Sequence, residues 1–196
     1  MEDDTAQPRD PDARPGEGVG QGEDPEQGGG LPVPSAQDVG DGGGESTPGQ
    51  GGALPVMIVV GSHLRAEAAD RPLAYRLVVE VEQWTERFEA QLGVEIEPMV
   101  CTDLWYLNHE ELRQRPTICV GGPGVNALSA YLAQHLSEEN RHADVLLQID
   151  PDYTDLQACI WGKDHELTAH GLQLFIDRYL DGYLRAVATQ VEPWSE

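Results

Sequence analysis

Between residues 54 and 188 the chain alternates between two hydrophobic periods, and that alternation leaves few folds open to it. "LPVMIVVGS" (54–62) is a short apolar run closed by Gly-Ser, the pattern of a buried strand. Leu77, Val81, Trp84, Phe88 and Leu92 then recur at three- and four-residue spacing. This predicts an amphipathic helix over 72–92, with Asp70 and Pro72 as start signals and Gly93 as the stop. The strand pattern returns in "VEIEPMVCT" (94–102), where Pro98 lacks an amide donor and so marks an edge strand or a bulge. A loop with a helical turn near 108–114 leads to "TICVG" (117–121), and Val125, Leu128, Leu132 and Leu136 predict a helix over 124–137. "DVLLQID" (144–150) and "LQACIWG" (156–162) are the last strand-like runs. A stripe from Leu172 to Val187 predicts a closing helix over 165–188, with Asp164 as its N-cap. The order predicts an α/β fold: a single three-layer sandwich with a mostly parallel sheet of about five strands.

The alternation begins where the composition breaks. Residues 1–53 hold 14 of the 22 glycines and 7 of the 14 prolines, no aromatic residue, and 12 acidic side chains against Arg9 and Arg14. Such a segment cannot bury enough apolar surface to offset its ordering entropy, which predicts a disordered acidic tail ahead of one α/β domain over 54–196. That domain carries 23 acidic and 10 basic residues. A field of that sign repels phosphodiester backbones and anionic membranes, so neither nucleic acid nor a lipid surface is expected as a partner. Cys101, Cys119 and Cys159 fall in or at the edge of strand-like runs without paired metal spacing, and read as buried reduced thiols. The acidic start "MEDDTAQ" is the reverse of a secretory leader's basic one. No apolar stretch approaches the roughly 20 residues that span a bilayer, so a cytoplasmic location is expected.

Ligands of a parallel α/β sheet bind beyond the carboxyl ends of its strands, where helix N-termini offer unpaired amides. Three turns qualify: "GSH" (61–63), "GGPGVN" (121–126) and "WGKDHE" (161–166). Gly121, Gly122 and Gly124 would let the backbone approach a bound group closely. Gly61, Ser62, His63 and Asn126 complete the candidate ligand-binding set. "GGPG" matches neither the dinucleotide fingerprint nor the Walker pattern, and a Gly-Gly-Pro corner also serves simply to turn a strand into a helix. If 144–150 runs parallel to the third strand, a hairpin through "PDYTD" makes 156–162 antiparallel and carries "GKDHE" to the opposite end of the sheet. Only the first two turns would then converge.

Catalytic constellations are harder to assemble. Asp164, His165 and Glu166 are adjacent, but neighbouring helix positions point apart, and a helix start with an acidic cap accounts for them. "DPDYTD" crowds Asp150, Asp152 and Asp155 as a hard-cation loop would, yet lacks the central Gly and distal Glu of an EF-hand, and turn chemistry explains it. Ser62 and His63 lack a nucleophile-elbow context, and Cys101 with His109 has no recognisable signature.

"VGGPGVN" followed later by "GKDHELTAHGLQLF" resembles a Gly-Gly-Pro-x-x-Asn turn and a Gly-to-Thr helix start that recur in archaeal surface-layer proteins. The resemblance implies an α/β unit over about 60 residues, and no activity. The expected function is a non-catalytic module that binds a protein partner or a small polar or anionic ligand, with self-association through its helix stripes open. The alternative is a small hydrolase or transferase acting on a nucleotide or another anionic metabolite. The residues name no cofactor.

Overall fold

The computed structural model describes residues 53–192, so the segment read as a disordered tail lies outside the described residues, apart from Ala53. β1 (Leu54–Val60), β2 (Ile96–Thr102), β3 (Thr117–Val120), β4 (Val145–Gln148) and β5 (Gln157–Gly162) form one sheet in the order β2-β1-β3-β5-β4. β1 pairs in parallel with β2 and β3, and β3 in parallel with β5. β4 alone runs antiparallel, against β5. The hairpin through "PDYTD" is therefore real, but the strand it reverses is β4. The chain climbs down the edge first and returns to the parallel direction in β5, so the β5 turn lies at the same end as the β1 and β3 turns. Pro98 sits on edge strand β2, where a missing donor costs no ladder bond on the open side.

Every residue of β1 is buried, because alternate side chains enter different cores. Leu54, Val56, Ile58 and Val60 pack with Leu73, Ala74, Leu77, Val81 and Trp84 of α1 (Leu64–Leu92). The same cluster takes in Leu172 and Phe175 of α6 (His165–Arg178), and Leu180, Tyr183, Leu184 and Val187 of α7 (Leu180–Gln190). Met57 and Val59 pack instead with Tyr106 of α2 (Asp103–Asn108), Leu112 of α3 (Glu110–Arg113) and Leu128 of α4 (Ala127–Leu132). The three thiols are free and buried, and all belong to this second cluster.

Helix boundaries differ from the periodicity in four places. α1 starts eight residues before Pro72 and carries it inside. The Ala-rich stretch ahead of Pro72 has high helix propensity and buries Ala66 against the core, which outweighs one missing backbone bond. "DLWYLN" is the helix α2, capped by Thr102 accepting from the Trp105 amide, where only a loop was expected. The 124–137 helix is shorter: Asn126 caps α4, and a 3-10 turn, Ala133–His135, ends it before the short α5 (Glu138–Arg141). The last helix is two helices, α6 and α7, meeting at Tyr179 (φ −122°, ψ −26°). The Tyr153 hydroxyl donates to the Tyr179 carbonyl at the break. It lies where a side chain on Gly182 would stand, so the glycine leaves room for it, while the Tyr179 carbonyl also accepts from the Tyr183 amide (2.9 Å). The Trp84 indole donates to Asp181 across α1 and α7 (2.9 Å), and the Tyr183 hydroxyl to the Leu156 carbonyl (2.8 Å), so the buried aromatics are also polar ties.

Leu172 is fully buried where α6 meets the sheet. Leu172→Ala is expected to cost about 2–5 kcal/mol, read as a lower urea midpoint at unchanged slope. An unchanged midpoint would mean that this face is not the core.

Candidate functional site

Parallel pairing brings the carboxyl ends of β1, β2, β3 and β5 to one edge, and the turns after the first three are held by one carboxylate. Asp103, at the start of α2 and 2% exposed, accepts from the Ser62 amide (2.8 Å), its neighbour Leu104 (2.8 Å) and the Ala127 amide (2.6 Å). Three loops thus share one acceptor.

The "GGPGVN" turn is locked as tightly. The Asn126 side-chain amide donates to the carbonyls of Val59 (3.3 Å) and Val120 (3.1 Å), closing the ends of β1 and β3. Its oxygen accepts from Leu128 (3.0 Å) and Ser129 (3.3 Å), capping α4. The Ser129 hydroxyl donates to the Gly121 carbonyl (2.5 Å). A Cβ on Gly61 would overlap the Val125 carbonyl, so only glycine lets the β1 and β3 turns touch. Gly121 sits at φ +103°, and a Cβ there would also overlap the Asp70 carboxylate. Gly61, Gly121 and Asn126 are therefore accounted for by packing and by backbone satisfaction. Ser62 contributes its amide to Asp103, and the His63 ring accepts from the Arg65 amide (3.1 Å); both side chains are exposed.

Gly122 and Gly124 fall differently, on the wall of a cavity of about 490 Å³ between the β3 and β5 turns. Its volume is within the range of small-molecule sites. Arg65 and Asp70 reach it from α1, His142 from the segment before β4, and Trp161, Lys163, Asp164, His165 and Thr168 from the β5 turn and the start of α6. Asp164 caps α6 by accepting from Leu167 (2.9 Å), and the Thr168 hydroxyl accepts from the Gly162 amide (3.0 Å), which fixes the turn. The amides of Gly122, Gly124, His165 and Glu166 have no acceptor among the described residues. Lys163 pairs with Asp144 at the surface. Asp150, in the other acidic loop, accepts from the amides of Asp152 (3.1 Å), Thr154 (2.8 Å) and Asp155 (3.0 Å). These bonds and that of the Thr154 hydroxyl hold its carboxyl down at about 2, as turn chemistry requires.

Asp70 is the exception among the buried acids. It is 6% exposed, lines the cavity, and has no hydrogen-bond partner among the described residues. Burial pushes its carboxyl up to about 6, against the opposing pull of His165. Sequence reasoning placed Asp70 ahead of its helix and so missed it. With α1 beginning at Leu64, Asp70 falls four residues after Ala66 and four before Ala74, on the core-facing stripe. An acid on an apolar stripe was the available signal. Asp103 carried none beyond its position after a strand.

No protein-family model matches the chain, and no curated protein matches it. Among the described residues, no helix is long and apolar enough to cross a membrane.

Two outcomes are expected. Asp103→Ala strands three amides and should lower stability by about 2–4 kcal/mol in urea unfolding, with Asp103→Asn losing less; equal stability would show that the loops hold without it. Asp70 titrates near 3.8 when unfolded and about 6 when folded. Its favourable contribution is therefore complete below about pH 4 and lost as pH rises through 6. Asp70→Asn should match the parent at pH 4 and exceed it at pH 8, by about 3 kcal/mol at most. A variant that is less stable at pH 8 would contradict the burial argument.

Proposed function

We propose that this domain binds a small anionic ligand in the cavity between the β3 and β5 turns. The reading rests on one observation: Gly122 and Gly124 of one strand-to-helix turn and His165 of another, whose amides have no acceptor among the described residues, line a single concavity with Lys163 and Arg65. Amides at a helix start and nearby cations are the usual means of holding a carboxylate or phosphate. The fold is read with it as a three-layer sandwich, supported by the helices packed in each of the two cores. Gly122 and Gly124 give the ligand its close approach. Asn126, Gly61 and Gly121 hold the frame, and Ser62 joins it through its amide.

A second reading, a small hydrolase or transferase acting on an anionic metabolite, draws on Asp70. A carboxyl near 6 beside a histidine is suited to exchanging protons at physiological pH. The two readings part on Asp70→Asn: a catalyst would keep its ligand and lose turnover.

The test is the thermal stability of the full chain against inorganic phosphate, phosphorylated metabolites and small carboxylates. A ligand at 100 times its dissociation constant adds about 2.7 kcal/mol. A Cβ on Gly122 meets the Trp161 side chain at 3.8 Å, an ordinary contact, so Gly122→Val fills the cavity without backbone strain. It is expected to fold and to lose the shift. The proposal fails if no anion shifts the parent, or if Gly122→Val responds equally.

A further inference from the structure

The cavity holds two recognition elements that call for opposite charges. The first-turn amides of α6, with Lys163 and Arg65, suit an anionic group. Asp70 is a buried carboxylate on the same wall, with no donor turned toward it among the described residues. A simple anion satisfies the first element and repels the second. A simple cation does the reverse. We propose that the cavity takes a small zwitterion of the α-amino acid class, its carboxylate held at the α6 start and its ammonium received by Asp70. The inference rests on the anion-binding reading and adds the second half of the ligand.

Physical chemistry favours an ammonium over a hydroxyl at Asp70. A buried carboxylate without partners is costly in its charged form, and neutral hydrogen bonding recovers only part of that cost. An ammonium supplies charge as well as donors, which makes the ionised form the stable one. The titratable groups around Asp70 are His165 of α6, Arg65 of α1, Lys163 and Asp164 of the β5 turn, and His142 ahead of β4. Of these, Asp164 is an acceptor and the cap of α6, and no hydrogen bond or ion pair joins Lys163 or Arg65 to Asp70 among the described residues. Gly121 closes the other side of the carboxylate with a Cα hydrogen only. Nothing else on that wall takes the role of counter-ion besides His165, whose pull leaves the carboxyl at about 6.

Binding an ammonium requires Asp70 to be ionised. Below pH 6 the ligand must displace a proton, and affinity should fall about tenfold per pH unit. Histidine also changes charge in this range, so the quantity to read is the difference between the parent and Asp70→Asn.

The experiment measures thermal shifts and titration calorimetry of the full chain with the common L-amino acids. Each is matched to its 2-hydroxy acid, its deaminated acid and its decarboxylated amine. At least one amino acid is expected to bind ten or more times tighter than all three of its analogues. Asp70→Asn should erase that preference and flatten the pH dependence below 6, while remaining folded by circular dichroism. Lys163→Ala should weaken amino acid and deaminated acid alike. If the 2-hydroxy or deaminated acid binds as tightly as the amino acid, or if Asp70→Asn keeps the preference, the zwitterion inference is overturned and the anion reading stands. If no compound of either kind binds, both fall.

Discussion

The working edge of this domain depends on Asp103. Strands that run parallel deliver their turns to one end of the sheet, but they do not fix where those turns sit relative to each other. One buried carboxylate does so here, by accepting from the first turn, its own helix start and the amide that opens α4. Asn126 repeats the device between β1 and β3, with its amide on two strand ends and its oxygen on the next helix. The amides of Gly122 and Gly124, by contrast, have no acceptor among the described residues.

The position of β5 follows from the same logic. A hairpin after α4 had to reverse one strand, and the edge strand β4 is the one reversed. An antiparallel edge on an otherwise parallel sheet is a common arrangement, since an edge strand has one ladder to satisfy. The consequence for the cavity is direct. α6 begins at the same end of the sheet as α4, and the segments "GGPGVN" and "GKDHELT" meet across one cavity.

The strands, their order along the chain and the edge position of β2 were legible in the residues, because burial on alternate faces leaves a continuous apolar run and Pro98 limits where β2 can lie. Gly122 and Gly124, read from the residues as part of a ligand cradle, line the cavity between the β3 and β5 turns. The remainder was hidden for identifiable reasons. Pro72 is a strong helix signal that tertiary burial of Ala66 overrode, and that error moved Asp70 off the buried face. The direction of β5 is decided by pairing with β3, a long-range choice that local periodicity does not carry. Asp103 acts through amides of residues 62 and 127, far away in sequence, so its pattern is invisible until the loops are assembled. The contact of Tyr153 with the break at Tyr179 comes from another loop altogether.

Asp70 and Asp103 set the two purposes of this edge apart. Both are buried carboxylates within reach of the same turns, and their surroundings could hardly differ more. Asp103 accepts three amide hydrogen bonds, the usual condition for burying a charge without penalty. Asp70 accepts none among the described residues, and burial alone drives its carboxyl upward. An asparagine at position 70 would relieve that penalty at neutral pH. Hydrogen bonding within the chain accounts for the burial of Asp103, and nothing of the kind accounts for that of Asp70 among the described residues. The two carboxylates are thus distinguished by one criterion: whether each has found its partner among the described residues of the chain.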